Sequence, residues 1–184
     1  MDRHHLCEFL LGAGLVTRER LDDAVAEQRG AAAPVRLLAL LVDRGAVDES
    51  PLTQALSRKL SIPWVRIEHN DVNSAVLALV PRDTAERFSL FPVYVRRETS
   101  GPPTLFVAMD DPTWEEALFT VSIVAGMPVR PLLATRSQVG AAIARHYAAR
   151  DTGRPTRPAV PIADNDDLIV IEYPSEIPCS ASAY

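Results

Sequence analysis

The stretch HLCEFLLGAGLVTRERLDDAVAEQ (residues 5–28) returns 31 positions later as RLLALLVDRGAVDESPLTQALSRK (residues 36–59). Six positions are identical between the copies: Leu6/Leu37, Leu10/Leu41, Gly14/Gly45, Val16/Val47, Leu21/Leu52 and Ala24/Ala55. Phe9/Leu40, Leu11/Val42 and Val25/Leu56 are apolar in both. A register shared in this way marks the duplication of one supersecondary unit.

The unit reads as helix–turn–helix. Leu6, Phe9, Leu10 and Ala13 recur at i, i+3, i+4 and i+7 and share one helix face. Gly14 follows as the residue that takes a left-handed conformation and closes the first helix, and Leu15 is placed to fold back on Leu10. Thr17 is the expected N-cap of a second helix carrying Leu21, Ala24, Val25 and Gln28. In the second copy Asp48 takes the cap position, and Pro51 falls in the first turn, where a missing N–H costs little. Each copy has about six sizeable aliphatic side chains, so a stripe left wet would cost on the order of 10 kcal/mol. Two copies facing each other remove that cost, which predicts a four-helix subdomain with RGAAAPV (residues 29–35) as its internal linker.

Beyond residue 60 the pattern changes. Ile62–Ile67, Leu90–Val95, Thr104–Met109 and Val129–Leu133 read as strands. Val72–Val80, a segment from Pro81 to Phe88, a Thr113-capped segment to Ala125 and a Thr135-capped segment to Tyr147 read as helices. Thr99–Pro103 reads as a hairpin loop. The expected class is α+β. A four-helix subdomain of two helix–turn–helix repeats (1–60) precedes a small α+β subdomain with a three- to four-stranded sheet (61–149). A flexible, Pro-rich, acidic tail follows (150–184). Within that tail Leu168, Ile169, Val170 and Ile171 form an aliphatic run between acids, a candidate strand for docking to a partner or to this chain's own sheet.

Bulk properties narrow the function. Hydrophobic residues make up 47% of the 184, enough for a packed core. A net charge of −5 offers no footprint for nucleic acid. Cys7 and Cys179 stand far apart, outside any Cys-x-x-Cys pair, which fits a reducing compartment. No apolar run approaches a bilayer span, so a cytoplasmic protein without membrane insertion is expected. His4, His5 and Cys7 lack a partner cluster for a metal. Glu115 and Glu116 are neighbours pointing about 100° apart on a helix, not a convergent acid pair. No hydrolase or metalloprotease motif is present, and no enzymatic chemistry is visible.

The doubled repeat, then Leu60-Ser-Ile-Pro-Trp-Val65, Val107-Ala-Met-Asp-Asp-Pro112 and Gly126-Met-Pro-Val-Arg-Pro131, resembles the N-terminal domain of type II secretion and type IV pilus assembly ATPases, the GspE/MshE N-terminal domain family. The resemblance spans about residues 5–148. In that family the domain precedes a motor with a Gly-x-x-x-x-Gly-Lys-Ser/Thr loop; none of the eight glycines here is followed by lysine. The resemblance therefore implies a non-enzymatic regulatory or protein-interaction module. It would act as an adaptor docking to a secretion, pilus or signalling component, such as a platform protein or ATPase, which would recruit it to the inner face of the cytoplasmic membrane. No cofactor is implied.

The alternative it implies is a sensor that binds cyclic di-GMP through the two repeats. The matching positions are His5, Leu6, Leu10, Gly14, Gln28, Arg36, Leu37, Leu41 and Gly45. An arginine can fork onto a guanine edge or a phosphate, so this reading expects an accessible Arg36 beside His5 and Gln28. His5 stands at the first arginine position, Cys7 and Leu38 at the two glycine positions, and Lys59 at the second glutamine position. Helix packing is the favoured role for these residues.

Overall fold

The computed structural model describes residues 3–30, 36–67, 72–97, 101–151 and 171–172. Four helices come first: α1 (Arg3–Gly12), α2 (Arg18–Gly30), α3 (Leu37–Asp43) and α4 (Glu49–Leu60). The turns inside the two repeats are built alike. Gly14 and Gly45 have φ of 66° and 61°, the left-handed conformation that a β-carbon disfavours. Around them Gly14 N–H donates to Leu11 C=O and Leu15 N–H to Leu10 C=O, and Gly45 and Ala46 donate likewise to Val42 and Leu41. This pair of bonds satisfies carbonyls that the ending helix leaves free. Thr17 caps α2 by accepting from Arg20 N–H at 3.4 Å. Asp48 stands at the cap position of α4 without a side-chain bond.

The aliphatic stripes of the two repeats meet in one core. Leu6, Leu10, Val16, Leu21, Leu37, Leu41, Val47, Leu52 and Leu56 pack together, with Leu10, Leu41 and Leu56 fully buried. Leu133, from the last long strand, closes this core on the side of the sheet.

The remaining described elements are β1 (Trp64–Val65), α5 (Ser74–Ala78), α6 (Arg82–Phe88), β2 (Leu90–Arg96), β3 (Thr104–Met109), α7 (Glu115–Ala125), β4 (Val129–Leu133), α8 (Arg136–Asp151) and β5 (Ile171–Glu172). The strands form one sheet in the order β2-β3-β4-β1-β5. β2 and β3 are an antiparallel hairpin, β3–β4 and β4–β1 are parallel, and β5 is antiparallel to β1. A second core, built on Phe88, Phe91, Leu105, Val107, Met109, Ala117, Val121, Leu132 and Ile143, joins the sheet to α5–α8. The buried Tyr147 hydroxyl donates to Val80 C=O at 2.7 Å and fixes α8 against the loop before α6.

Three elements differ from the sequence reading. The strand expected over Ile62–Ile67 shrinks to two residues, because Ile62 is held by α4: its N–H donates to Ser57 C=O and its carbonyl accepts from the Ser57 hydroxyl. Thr113 does not cap α7. Its N–H and hydroxyl both donate to Asp111 Oδ1, at 3.1 and 2.6 Å, and Trp114 takes the cap position without a side-chain bond. The two-residue β5 adds a fifth strand at the β1 edge. The linker residues 31–35 and Thr99 and Ser100 of the hairpin loop lie outside the described residues. No helix among the described residues is long and apolar enough to cross a membrane.

Candidate functional site

The residues singled out in the repeats divide into three groups. Leu6, Leu10, Leu37 and Leu41 face one another inside the four-helix core, at 7% exposure or less. Gly14 and Gly45 are exposed turn residues with positive φ. His5 is exposed on α1, its ring 6.2 Å edge-on from His4, while Gln28 on α2 is half-buried.

Arg36 stands apart. It occupies the N-cap position of α3 in an extended conformation, so its side chain leaves the helix instead of following it. The guanidinium reaches Asp110, the residue after β3, and forms two hydrogen bonds, Nη1 to Oδ1 at 2.7 Å and Nη2 to Oδ2 at 3.2 Å. It also lies 4.8 Å from the centre of the Trp114 ring, which packs edge-on against Phe88. The two charged side chains are only 16% and 11% exposed. A bidentate pair in such surroundings is strong and directional, and it uses the fork that would recognise a guanine or a phosphate. The accessible Arg36 that the sensor reading expects is not what the structure holds.

Asp110 is the centre of a belt that ties the repeats to the sheet. Arg136, the first residue of α8, stands 3.9 Å from Asp110 and 3.4 Å from Asp43 at the end of α3. Next to it, Glu49 of α4 accepts from both the N–H and the hydroxyl of Ser137. Burial raises the Asp110 pKa above the ordinary aspartate value, with the charge of Asp111 adding to the effect; Arg36 and Arg136 pull it back down.

The sequence offers Arg36 as a candidate and carries Asp110 in the Val107–Pro112 motif, but nothing in it joins the two. Asp110, Arg136, Glu49 and Ser137 carried no periodic signal, since their roles depend on a contact between distant elements. Leu168, Ile169 and Val170 lie outside the described residues; Ile171 lies in β5, opposite Val65.

Residues 60–153, just over half of the chain, match the MshEN domain family. The type IV pilus assembly ATPase PilB of Myxococcus xanthus is 30% identical over 145 residues, which cover 79% of this chain and 24% of that protein. The chain thus spans about a quarter of the length of that relative. Among solved structures, one of MshE with cdg has a TM-score of 0.58 at 24% identity, covering 80% of this chain and 100% of that one. The N-terminal domain of XpsE has a TM-score of 0.63 at 22% identity, covering 79% of this chain and 98% of that one. Both share the fold described above.

Proposed function

This chain belongs to the MshEN domain family, and from that premise we propose that it is a protein-docking module of a secretion or pilus apparatus, with no chemistry of its own. The observation that carries this reading is the Arg36–Asp110 pair. The one arginine among the matched ligand positions holds the helical layer to the sheet, and the leucines that would cover a base are packed on each other. The repeats are therefore framework, and function falls to the outer surface. Similarity to a pilus assembly ATPase supports a partner of that machinery, either the ATPase or its membrane platform.

A second reading is supported by the related MshE structure, which contains cdg, a ligand we take as cyclic di-GMP. For this chain to bind it through the repeats, Arg36 would have to leave Asp110 and strand a buried carboxylate without its partner, a costly exchange. The test is a capture assay of the purified chain against the ATPase and platform proteins of its host, with and without cyclic di-GMP, alongside isothermal titration with the nucleotide. The docking reading expects capture that is indifferent to the nucleotide. A stoichiometric, sub-micromolar complex with cyclic di-GMP would put the sensor reading in its place.

A further inference from the structure

Helix α7 is built inside out for a surface helix. Its buried side uses small residues, with Ala117 and Val121 fully covered. Phe119 and Ile123 sit two positions further on, about 200° around the helix and so on the opposite side. They are 67% and 65% exposed; Val124, at the edge of the covered side, is 45% exposed. These are the large apolar side chains left in solvent among the described residues. A helix with one covered face normally turns polar residues outward. Here the outward stripe is apolar, and the hydroxyl of Ser122 beside it is already bonded to the Phe119 carbonyl. Two large apolar side chains left exposed one turn apart on the outward side of a helix point to an interaction surface.

Charge decides what covers it. Glu115 and Glu116, both exposed, stand at the N-terminal end of the stripe, and the last turn of α7 has no basic residue. A second copy paired about a two-fold axis would set these acids against the last turn of the other α7, the negative end of that helix's dipole. The net charge of −5 adds to that repulsion. This chain's own aliphatic run, Leu168–Ile171, is bounded by Asp166, Asp167 and Glu172 and repels the same two glutamates. An anionic lipid surface does so as well.

The complementary occupant is an apolar helix that carries basic residues at one end. We propose that α7 is the docking face for an amphipathic helix of another protein. Its large apolar side chains at i and i+4 cover Phe119 and Ile123, and Lys or Arg in its last turn meet Glu115 and Glu116. An antiparallel arrangement brings those cations to the glutamates while they also complement their own helix dipole. The inference rests on the docking reading and gives it a surface.

The test places a photo-crosslinking p-benzoylphenylalanine at position 119 in the cells that make the protein, and identifies the peptide joined to it. The expected product is an apolar helical segment of another protein with Lys or Arg within one turn of the joined residue. A product with this chain itself, with lipid or with an acid-flanked segment overturns the proposal, and so does no product. In parallel, a Phe119→Ser/Ile123→Ser variant with an unchanged melting temperature should capture the partner at least about ten-fold more weakly than the natural chain. The Glu115→Gln/Glu116→Gln variant should bind more weakly and with less dependence on salt. Full capture by the serine variant overturns the α7 surface and leaves the docking reading standing. No capture by the natural chain overturns both.

Discussion

Arg36 and Asp110 are 74 positions apart in the chain and meet as a two-pronged ion pair, with the Trp114 ring over the guanidinium. One partner takes the N-cap position of a helix of the second repeat and the other follows a strand, so the pair fixes how the helical layer sits on the sheet.

Removing one side of this pair strands the other in a poorly solvated place. Arg36→Ala should destabilise the protein by about 3 kcal/mol, the usual result of breaking a buried pair from one side. The double variant Arg36→Met/Asp110→Leu should regain a large part of that loss, because both desolvation penalties go together. Urea unfolding of the natural chain, both single variants and the double variant measures the coupling. Additive losses would mean that the contact has no energetic significance.

The raised pKa of Asp110 has a consequence of definite sign. Between the ordinary aspartate pKa and the raised one, the folded protein keeps a proton that the unfolded chain has lost. The native state then binds more protons, so stability falls as pH rises through this window and is level above it. Asparagine does not titrate. Relative to Asp110→Asn, the natural protein should lose stability as pH climbs from about 3.5 through the raised pKa, in unfolding curves extended to about pH 7 at fixed salt. A gain over the same interval would show that the attraction of Arg36 and Arg136 outweighs burial.

The sequence disclosed most where physics is local or repetitive. The duplicated stripes placed Leu10 and Leu41 in one core, and the glycines at 14 and 45 announced the turns that their φ values show. Thr104–Met109 and Val129–Leu133 are strands as expected, since short apolar runs bounded by turn residues leave few alternatives. What was hidden depends on partners far along the chain. Ile62 reads as strand until the Ser57 hydroxyl takes its carbonyl, and Thr113 reads as a cap until Asp111 takes its donors. Arg36 reads as a helix-packing residue or a candidate ligand contact, and neither reading finds Asp110, for the same reason. Nothing local tells an arginine whether its carboxylate lies in a ligand or 74 positions away.

The contrast between a core and a surface apolar residue can be measured directly. Leu10 is fully buried between the repeats, and Leu10→Ala should cost about 3 kcal/mol from lost burial and the cavity left behind. Phe119→Ala deletes a larger side chain, but one that is 67% exposed, and should change stability by no more than about 0.5 kcal/mol. Denaturant midpoints of the two variants would separate the roles. A large loss at position 119 would make that ring part of the core and remove it from the docking face.

Five of the described residues have positive φ, and they predict substitutions of opposite sign. Gly14, Gly45 and Gly126 share this conformation with Ser61 and Ser89, whose φ are 53° and 49°. Both serines end helices, α4 and α6, at the position where glycine is usual. A side chain held there costs about 1–2 kcal/mol, and exchanging it for glycine returns some of this as greater freedom of the unfolded chain. Ser61→Gly should therefore stabilise by about 0.5 kcal/mol. Gly14→Ala and Gly45→Ala should each destabilise by about 1 kcal/mol, although an added β-carbon would meet no atom within 4 Å at either site. The cost is in the backbone and not in packing, so the two alanine variants should behave alike. Thermal melts of the three variants test this, and a Gly45→Ala protein as stable as the natural one would mean that the turn of the second repeat does not need the left-handed residue.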